Sequence, residues 1–205
     1  MISGKSKKLV TEGYRLGMAQ EKDEILGLTE FLLNEKPHNI MEIGSKYGGT
    51  FHIFSSMATG IKISLDLPGG IHGGWALNEH PYLGNIVEQR NQYFEDNFDD
   101  VYMIMADSHT ESALNTVEHY LVNEELDFLM IDGDHTYEGV KQDYEMYKHL
   151  VKDGGWIGFH DVNDTEHHRK MNVYVGKLWE ELEGEKIEFN ENTHWAGIGI
   201  IKNEK

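Results

Sequence analysis

Acidic residues recur in this chain at one kind of place, directly after a short apolar run. Asp66 follows Ile61-Lys-Ile-Ser-Leu, Asp107 follows Val101-Tyr-Met-Ile-Met-Ala, Asp132 follows Leu126-Asp-Phe-Leu-Met-Ile, and Asp161 follows Trp156-Ile-Gly-Phe-His. A fifth run, Asn39-Ile-Met-Glu-Ile-Gly44, carries its acid, Glu42, inside. Carboxylates held at the ends of buried segments can accept hydrogen bonds from ligand hydroxyls, neutralise a cationic ligand or ligate a metal. Histidine joins two of them: His135 lies three residues after Asp132, and His160 directly precedes Asp161. An imidazole with an ordinary pKa of about 6.5 can take a proton from a hydroxyl near neutrality. The chain contains no Cys. Disulfides, thiolate metal sites and a Cys nucleophile are therefore excluded, and any metal must rest on carboxylates, imidazoles or carbonyls.

The elements that must position these groups follow from periodicity. The five apolar runs read as strands, and between them apolar residues recur at three- and four-residue spacing over 25–33, 86–98, 113–121 and 140–151, which predicts helices. Alternating strands and helices predict a parallel sheet covered on both faces, with ligands at the C-terminal strand edge, where the acids collect. A further helix is expected over 170–182, and Ile187-Glu-Phe-Asn with Gly197-Ile-Gly-Ile-Ile201 reads as a terminal strand pair. Two long connections, 68–82 with His72 and His80, and 163–168 with His167 and His168, follow strand ends and could cover a ligand. These, with His194 and Trp195, are softer candidates for substrate contact, and adjacent positions such as 167 and 168 would point about 100° apart on a helix.

At 205 residues, 39% hydrophobic and 26% charged, the composition is that of one globular domain, and neither disorder nor collagen-like repetition fits it. We read a single domain over 1–205: an N-terminal helical segment at 1–37, a ligand-binding core at 38–162, and a C-terminal helix and strand pair at 163–205. No apolar run approaches the roughly 20 residues of a membrane helix, and the basic start is not followed by an apolar signal stretch, so the expected location is cytoplasmic. The net charge of −18 would repel a polyanion. The expected partner is a small hydroxylated molecule, with neither nucleic acid nor membrane, and assembly with further copies of the chain stays open.

The run Glu42-Ile-Gly-Ser-Lys-Tyr-Gly-Gly-Thr50 is a glycine turn opening a helix. It lacks the middle glycine of the dinucleotide fingerprint, because Lys46 stands there. Together with Asp66, Ala106-Asp-Ser108, Ile131-Asp-Gly-Asp-His-Thr-Tyr-Glu-Gly-Val-Lys-Gln-Asp143 and Gly154-Gly-Trp-Ile-Gly-Phe-His-Asp161, it resembles the class I S-adenosylmethionine-dependent methyltransferases. Within these it is similar to the metal-dependent small-molecule O-methyltransferases, the macrocin and mycinamicin sugar and cephalosporin-hydroxylase-like group, with catechol O-methyltransferase more distant.

The resemblance implies a Rossmann-like α/β fold: a mostly parallel seven-stranded sheet with helices on both faces and an antiparallel C-terminal strand. It implies S-adenosylmethionine as cofactor, bound by Glu42, Gly44, Ser45, Tyr47, Gly48, Thr50, Asp66, Leu67, Asp107, Ser108 and Asp132. Glu42 and Gly44 would line the methionine moiety, Asp66 would take both ribose hydroxyls, and Asp107 with Ser108 would flank the adenine. It implies His135 as general base and a divalent metal on Asp132, His160 and Asp161. The position before Asp161 is acidic in the family, so His160 is a departure: magnesium is the first expectation, with manganese or another transition metal in view of the imidazole.

The activity implied is metal-assisted O-methylation of a sugar or vicinal diol. Tyr137, Glu138 and Asp143, in the same block, are accounted for by a helix start and a solvated helix face. Two rivals stand beside this reading. A metal-dependent hydrolase or oxygenase would need His135, His160 and Asp161 to converge on an open coordination position, and would not need Glu42 or Asp66. A non-catalytic module would only hold the cofactor or a sugar.

Overall fold

The computed structural model describes residues 2–67, 81–190 and 195–205. His72, His80 and His194 lie outside them. The chain runs α1 (Gly4–Arg15), α2 (Lys22–Glu35), β1 (Ile40–Ile43), α3 (Gly49–Ser55), β2 (Lys62–Asp66), α4 (Pro81–Asn97), β3 (Val101–Met105), α5 (Glu111–Leu121), β4 (Leu126–Ile131), α6 (Tyr137–Tyr147), β5 (Val151–His160), α7 (Glu166–Lys170), α8 (Val175–Glu181), β6 (Lys186–Phe189) and β7 (Ile198–Lys202).

The sheet order is β3-β2-β1-β4-β5-β7-β6. β3, β2, β1, β4 and β5 are parallel, and β7 is antiparallel to both β5 and β6. Strand order reverses between β1, which leads outward to β2, and β4, which restarts on the other side, so a crevice opens at their C-terminal ends.

Successive side chains of a strand face opposite sides of the sheet, and both sides are apolar here. Met41, Ile43, Leu129, Ile131, Ile157 and Phe159 pack on one side with Ala113, Val117 and Leu121 of α5, Val140 and Tyr147 of α6, and Leu178 and Trp179 of α8. On the other, Ile40, Phe128, Met130, Trp156 and Ile200 meet Leu9 of α1, Ile25, Leu28 and Leu32 of α2, Phe51, Ile53 and Phe54 of α3, and Phe94 of α4. Side-chain hydroxyls cap the helices that begin beside the strand ends: Thr110 accepts from the Ala113 amide at α5, and Thr136 from the Gly139 amide at α6. Among the described residues, no helix is long and apolar enough to cross a membrane.

The C-terminal helix departs from expectation. Instead of one helix over 170–182 there are two, because Asn172 turns left-handed (φ 60°) and the Tyr174 amide donates to the His135 carbonyl at 2.8 Å. A long-range hydrogen bond to the 132–136 loop thus outweighs local helix continuation. The start of α7 also falls inside 163–168, read as a loop. β5 begins five residues early, at Val151. Tyr147 ends α6, and a 3₁₀ turn over Lys148–Leu150 leads into the strand.

Candidate active site at the strand ends

The turn from β1 into α3 depends on two left-handed glycines, Gly44 (φ 87°) and Gly48 (φ 86°). A Cβ on Gly44 would stand 2.0 Å from the Asp132 carbonyl oxygen, and one on Gly48 would stand 2.6 Å from the Phe94 ring. Only glycine lets the β1 and β4 ends approach this closely. Glu42, on β1 beneath the turn, has 0% exposure, and neither of its carboxylate oxygens has a hydrogen-bond partner. Burial pushes its carboxyl up to about 8, with Asp132 and Asp66 adding to the rise and the Thr50 and Ser45 hydroxyls opposing it. Ser45 is itself held by the Ser64 hydroxyl, 2.8 Å away. A buried carboxylate without partners is costly in the free protein. A cationic ligand group placed against Glu42 would remove that cost.

Asp66 closes β2 one strand away. Its Oδ2 accepts from the Lys46 amide (2.9 Å) and from Arg90 on α4 (2.8 Å), and its Oδ1 accepts from the Leu67 amide (2.9 Å). Burial raises its pKa, opposed by the Arg90 charge and hydrogen bond and by the two amides. A carboxylate offers about four acceptor sites, so among the described residues three are taken and one, on Oδ1, remains. Among the described residues, one Oδ1 site is thus left for the ribose contact expected of Asp66. Tyr47 lines a groove of about 230 Å³ with Leu16, Ile86, Gln89, Arg90, Tyr93 and Phe94.

Beyond β3, Asp107 is exposed, and its Oδ1 accepts from the His109 amide at 3.0 Å. α6 holds this loop: the Tyr147 hydroxyl donates to the Ser108 carbonyl (2.8 Å), and Gln142 Nε2 donates to the His109 carbonyl (3.1 Å). Asp143, expected on a solvated face, is instead fully buried and faces His109 Nε2 at 3.3 Å. That pairing holds His109 well above its ordinary range, at about 9, against the opposing effect of burial.

The remaining candidates meet where β4 and β5 end side by side. His135 Nδ1 lies 2.8 Å from Asp161 Oδ2, while its Nε2 is 3.5 Å from Asp132 Oδ1, beyond a direct hydrogen bond. The His135 side chain keeps 34% exposure. Burial lowers its pKa, but the Asp161 hydrogen bond and the charges of Asp132 and Asp161 outweigh that and raise it. His160 Nδ1 stands 3.2 Å from Asp132 Oδ1 and 3.4 Å from Asp161 Oδ1. Burial opposes its protonation, but the two carboxylates hold it at about 9. Asp161, left-handed at φ 61°, would be raised by burial, yet His160 and His135 keep it at about 2.

This donor set does not fit the divalent metal implied by the resemblance. Among the described residues, no group of three or more His, Asp or Glu side chains is arranged to hold a metal ion. His160 stands between the two carboxylates, whose charges favour its protonated form, and the ring would have to lose that proton before it could ligate. The arrangement required by a hydrolase or oxygenase, with an open coordination position, is missing from the described residues for the same reason.

Several residues of the site carried no sequence signal. Gln20 Nε2 donates to Asp132 Oδ2 at 2.8 Å across 112 residues. Glu24 on α2 is buried, accepts from the Gly197 amide at 2.9 Å, and is pushed by burial to about 7. Arg90 is the third. Of the softer candidates, His168 is buried and satisfied by the Asn163 carbonyl (2.5 Å) and the Ala196 amide (3.1 Å), a packing role. His167 is exposed, and Trp195 donates to Glu21 at 2.8 Å.

A family model described as a methyltransferase domain matches residues 41–162. An uncharacterized protein of Acanthamoeba polyphaga mimivirus is 34% identical over 61 residues, which are 30% of this chain and 28% of that protein's length. Among solved structures, a Staphylococcus aureus protein described as a candidate caffeoyl-CoA O-methyltransferase is 15% identical, with 98% of this chain and 92% of that one covered and a TM-score of 0.63. The O-methyltransferase TomG of Streptomyces achromogenes, involved in tomaymycin synthesis and solved in complex with SAM, is 10% identical, with 99% and 91% covered and a TM-score of 0.59. At these identities the structural likeness establishes the Rossmann-like class I methyltransferase fold.

Proposed function

The chain belongs to the methyltransferase-domain family, and on that premise we propose that it transfers a methyl group from S-adenosylmethionine to a hydroxyl of a small molecule, with His135 as general base. The observation that carries the acceptor chemistry is the 2.8 Å contact between His135 Nδ1 and Asp161. A proton on Nδ1 donated to Asp161 would leave the Nε2 lone pair free to take a proton from the acceptor.

S-adenosylmethionine, when bound, supplies an electrophilic methyl group on a sulfonium. Glu42 would hold its ammonium, since a cation against the unpartnered carboxylate restores the ionised form that burial suppresses. Asp66 would accept a ribose hydroxyl on its remaining Oδ1 site, and the α6-braced loop at Asp107 and Ser108 would flank the base. Asp132, held by Gln20 and His160, and His135 would receive the acceptor hydroxyl between them. His135 Nε2 takes the proton as the oxygen attacks, and Asp161 stabilises the resulting imidazolium. Holding acceptor and methyl in line is the larger contribution, with orientation worth up to roughly 7–11 kcal/mol.

We route no step through a divalent cation, because the two carboxylates that would bind it are paired with imidazoles. The acceptor expected is a hydroxylated small molecule such as a sugar or vicinal diol. The test is transfer of labelled methyl from S-adenosylmethionine to a panel of sugars and diols, with calorimetric titration of S-adenosylhomocysteine alongside. Binding with transfer supports the enzyme, binding without transfer to any hydroxyl overturns the acceptor assignment, and no binding overturns the whole reading.

A further inference from the structure

We infer that Arg90 is the positioning residue of the cofactor site, holding the Asp66 carboxylate turned so that its Oδ1 faces the ligand. The inference rests on the proposed S-adenosylmethionine binding and extends it to a residue on α4, outside the strand-end motifs. Arg90 is nearly sealed, with 3% side-chain exposure, although its guanidinium is a group normally found in water. Each end is committed: Nη1 donates to the Lys46 carbonyl (2.6 Å) and to Asp66 Oδ2 (2.8 Å), Nε donates to Asn91 (3.0 Å), and Nη2 reaches Met105 Sδ (3.1 Å). One side chain therefore ties together the glycine turn, the end of β2 and the end of β3, the three segments that would surround a nucleoside.

The geometry makes Arg90 more than packing. By taking Oδ2 together with the Lys46 amide, it leaves the open lone pair of Asp66 on Oδ1 and fixes which way it points. Its charge also answers the burial of Asp66. Among the described residues, the groups acting on Asp66 are Arg90 from α4 and the Lys46 and Leu67 amides, with the Glu42 carboxyl of β1 nearby. Among the described residues Arg90 is the cation set against Asp66, and its charge favours the ionised carboxylate that burial disfavours. Lys cannot replace it, because a single ammonium on a flexible stem does not present the fixed fork that spans the Lys46 carbonyl and Asp66 together.

The test compares Arg90→Met and Arg90→Lys with the wild type by calorimetry between pH 6 and 9. S-adenosylhomocysteine is one probe. 5′-Methylthioadenosine is the other; it carries the nucleoside but no ammonium and so takes Glu42 out of the comparison. Thermal melts confirm that each variant is folded. Arg90→Met is expected to bind both probes at least tenfold more weakly at pH 6, a deficit that shrinks as rising pH ionises Asp66, with Arg90→Lys in between. A deficit equal at every pH would make Arg90 a purely structural residue, and unchanged or tighter binding would make it a competitor for Asp66; either overturns the inference. Failure of the wild type to bind either probe would overturn the cofactor reading itself, a separate outcome. If Arg90→Met does not fold, Arg90→Lys carries the comparison, and wild-type-like affinity in it at pH 6 overturns the inference.

Discussion

Glu42 sets stability against binding, and replacing it with Gln should separate the two. Its carboxyl is pushed from an ordinary 4.5 to about 8 by full burial, against the opposing effect of the Thr50 and Ser45 hydroxyls. A folded-state pKa raised in this way means that the unfolded chain releases its proton first as pH rises. Stability is therefore lost between about 4.5 and 8. Worked through the linkage relation, the penalty is about 1 kcal/mol at pH 5 and about 4 kcal/mol at pH 8. A glutamine has no charge to desolvate, and its amide can donate to the Ser45 or Thr50 hydroxyl. Urea melts of Glu42→Gln without cofactor should show a gain of about 4 kcal/mol at pH 8 that falls to about 1 kcal/mol at pH 5. The same variant should bind S-adenosylhomocysteine about 10- to 100-fold more weakly, the loss of a hydrogen bond between charged groups. A variant no more stable at pH 8 than at pH 5, relative to wild type, would show that Glu42 is satisfied in the free protein and refute the reasoning.

Asp66→Ala should weaken S-adenosylhomocysteine by roughly 1–3 kcal/mol in calorimetry, and unchanged affinity would remove Asp66 from the site. His135→Ala should lower kcat by roughly 10²- to 10⁴-fold with little change in KM. Because the base must be neutral and its pKa is raised, wild-type kcat should climb as pH passes through values above 6.5 and the variant should lose that limb; near-wild-type kcat with the same limb would transfer the base role elsewhere. Excess chelator should leave the initial rate within about twofold, since the carboxylates are already neutralised by imidazoles; loss of activity restored by magnesium or manganese would show that a cation displaces His160 from between Asp132 and Asp161.

The central strands were legible because they are buried on both faces and read as short, mostly apolar runs. Their order could be inferred from the β-α alternation, which admits few parallel arrangements. Glu42, Asp66, Asp132 and Asp161 were equally legible, since in such a sheet a polar residue at a strand's C-terminal end is placed by topology alone. What sequence could not convey is who faces whom. Gln20 and Asp132 are 112 residues apart, and Glu24 reaches Gly197 from α2. Asp143 shares a helix face with the buried Val140 and Tyr147, yet only the packing of α6 against the loop after β3 supplies its partner, His109. The break between α7 and α8 has the same origin, a hydrogen bond from Tyr174 to the distant His135 carbonyl. Protonation belongs to this class too. His160 is an ordinary imidazole in the sequence, and only the convergence of two carboxylates from neighbouring strands makes it a cation, because pKa values answer to distances and burial rather than to residue type.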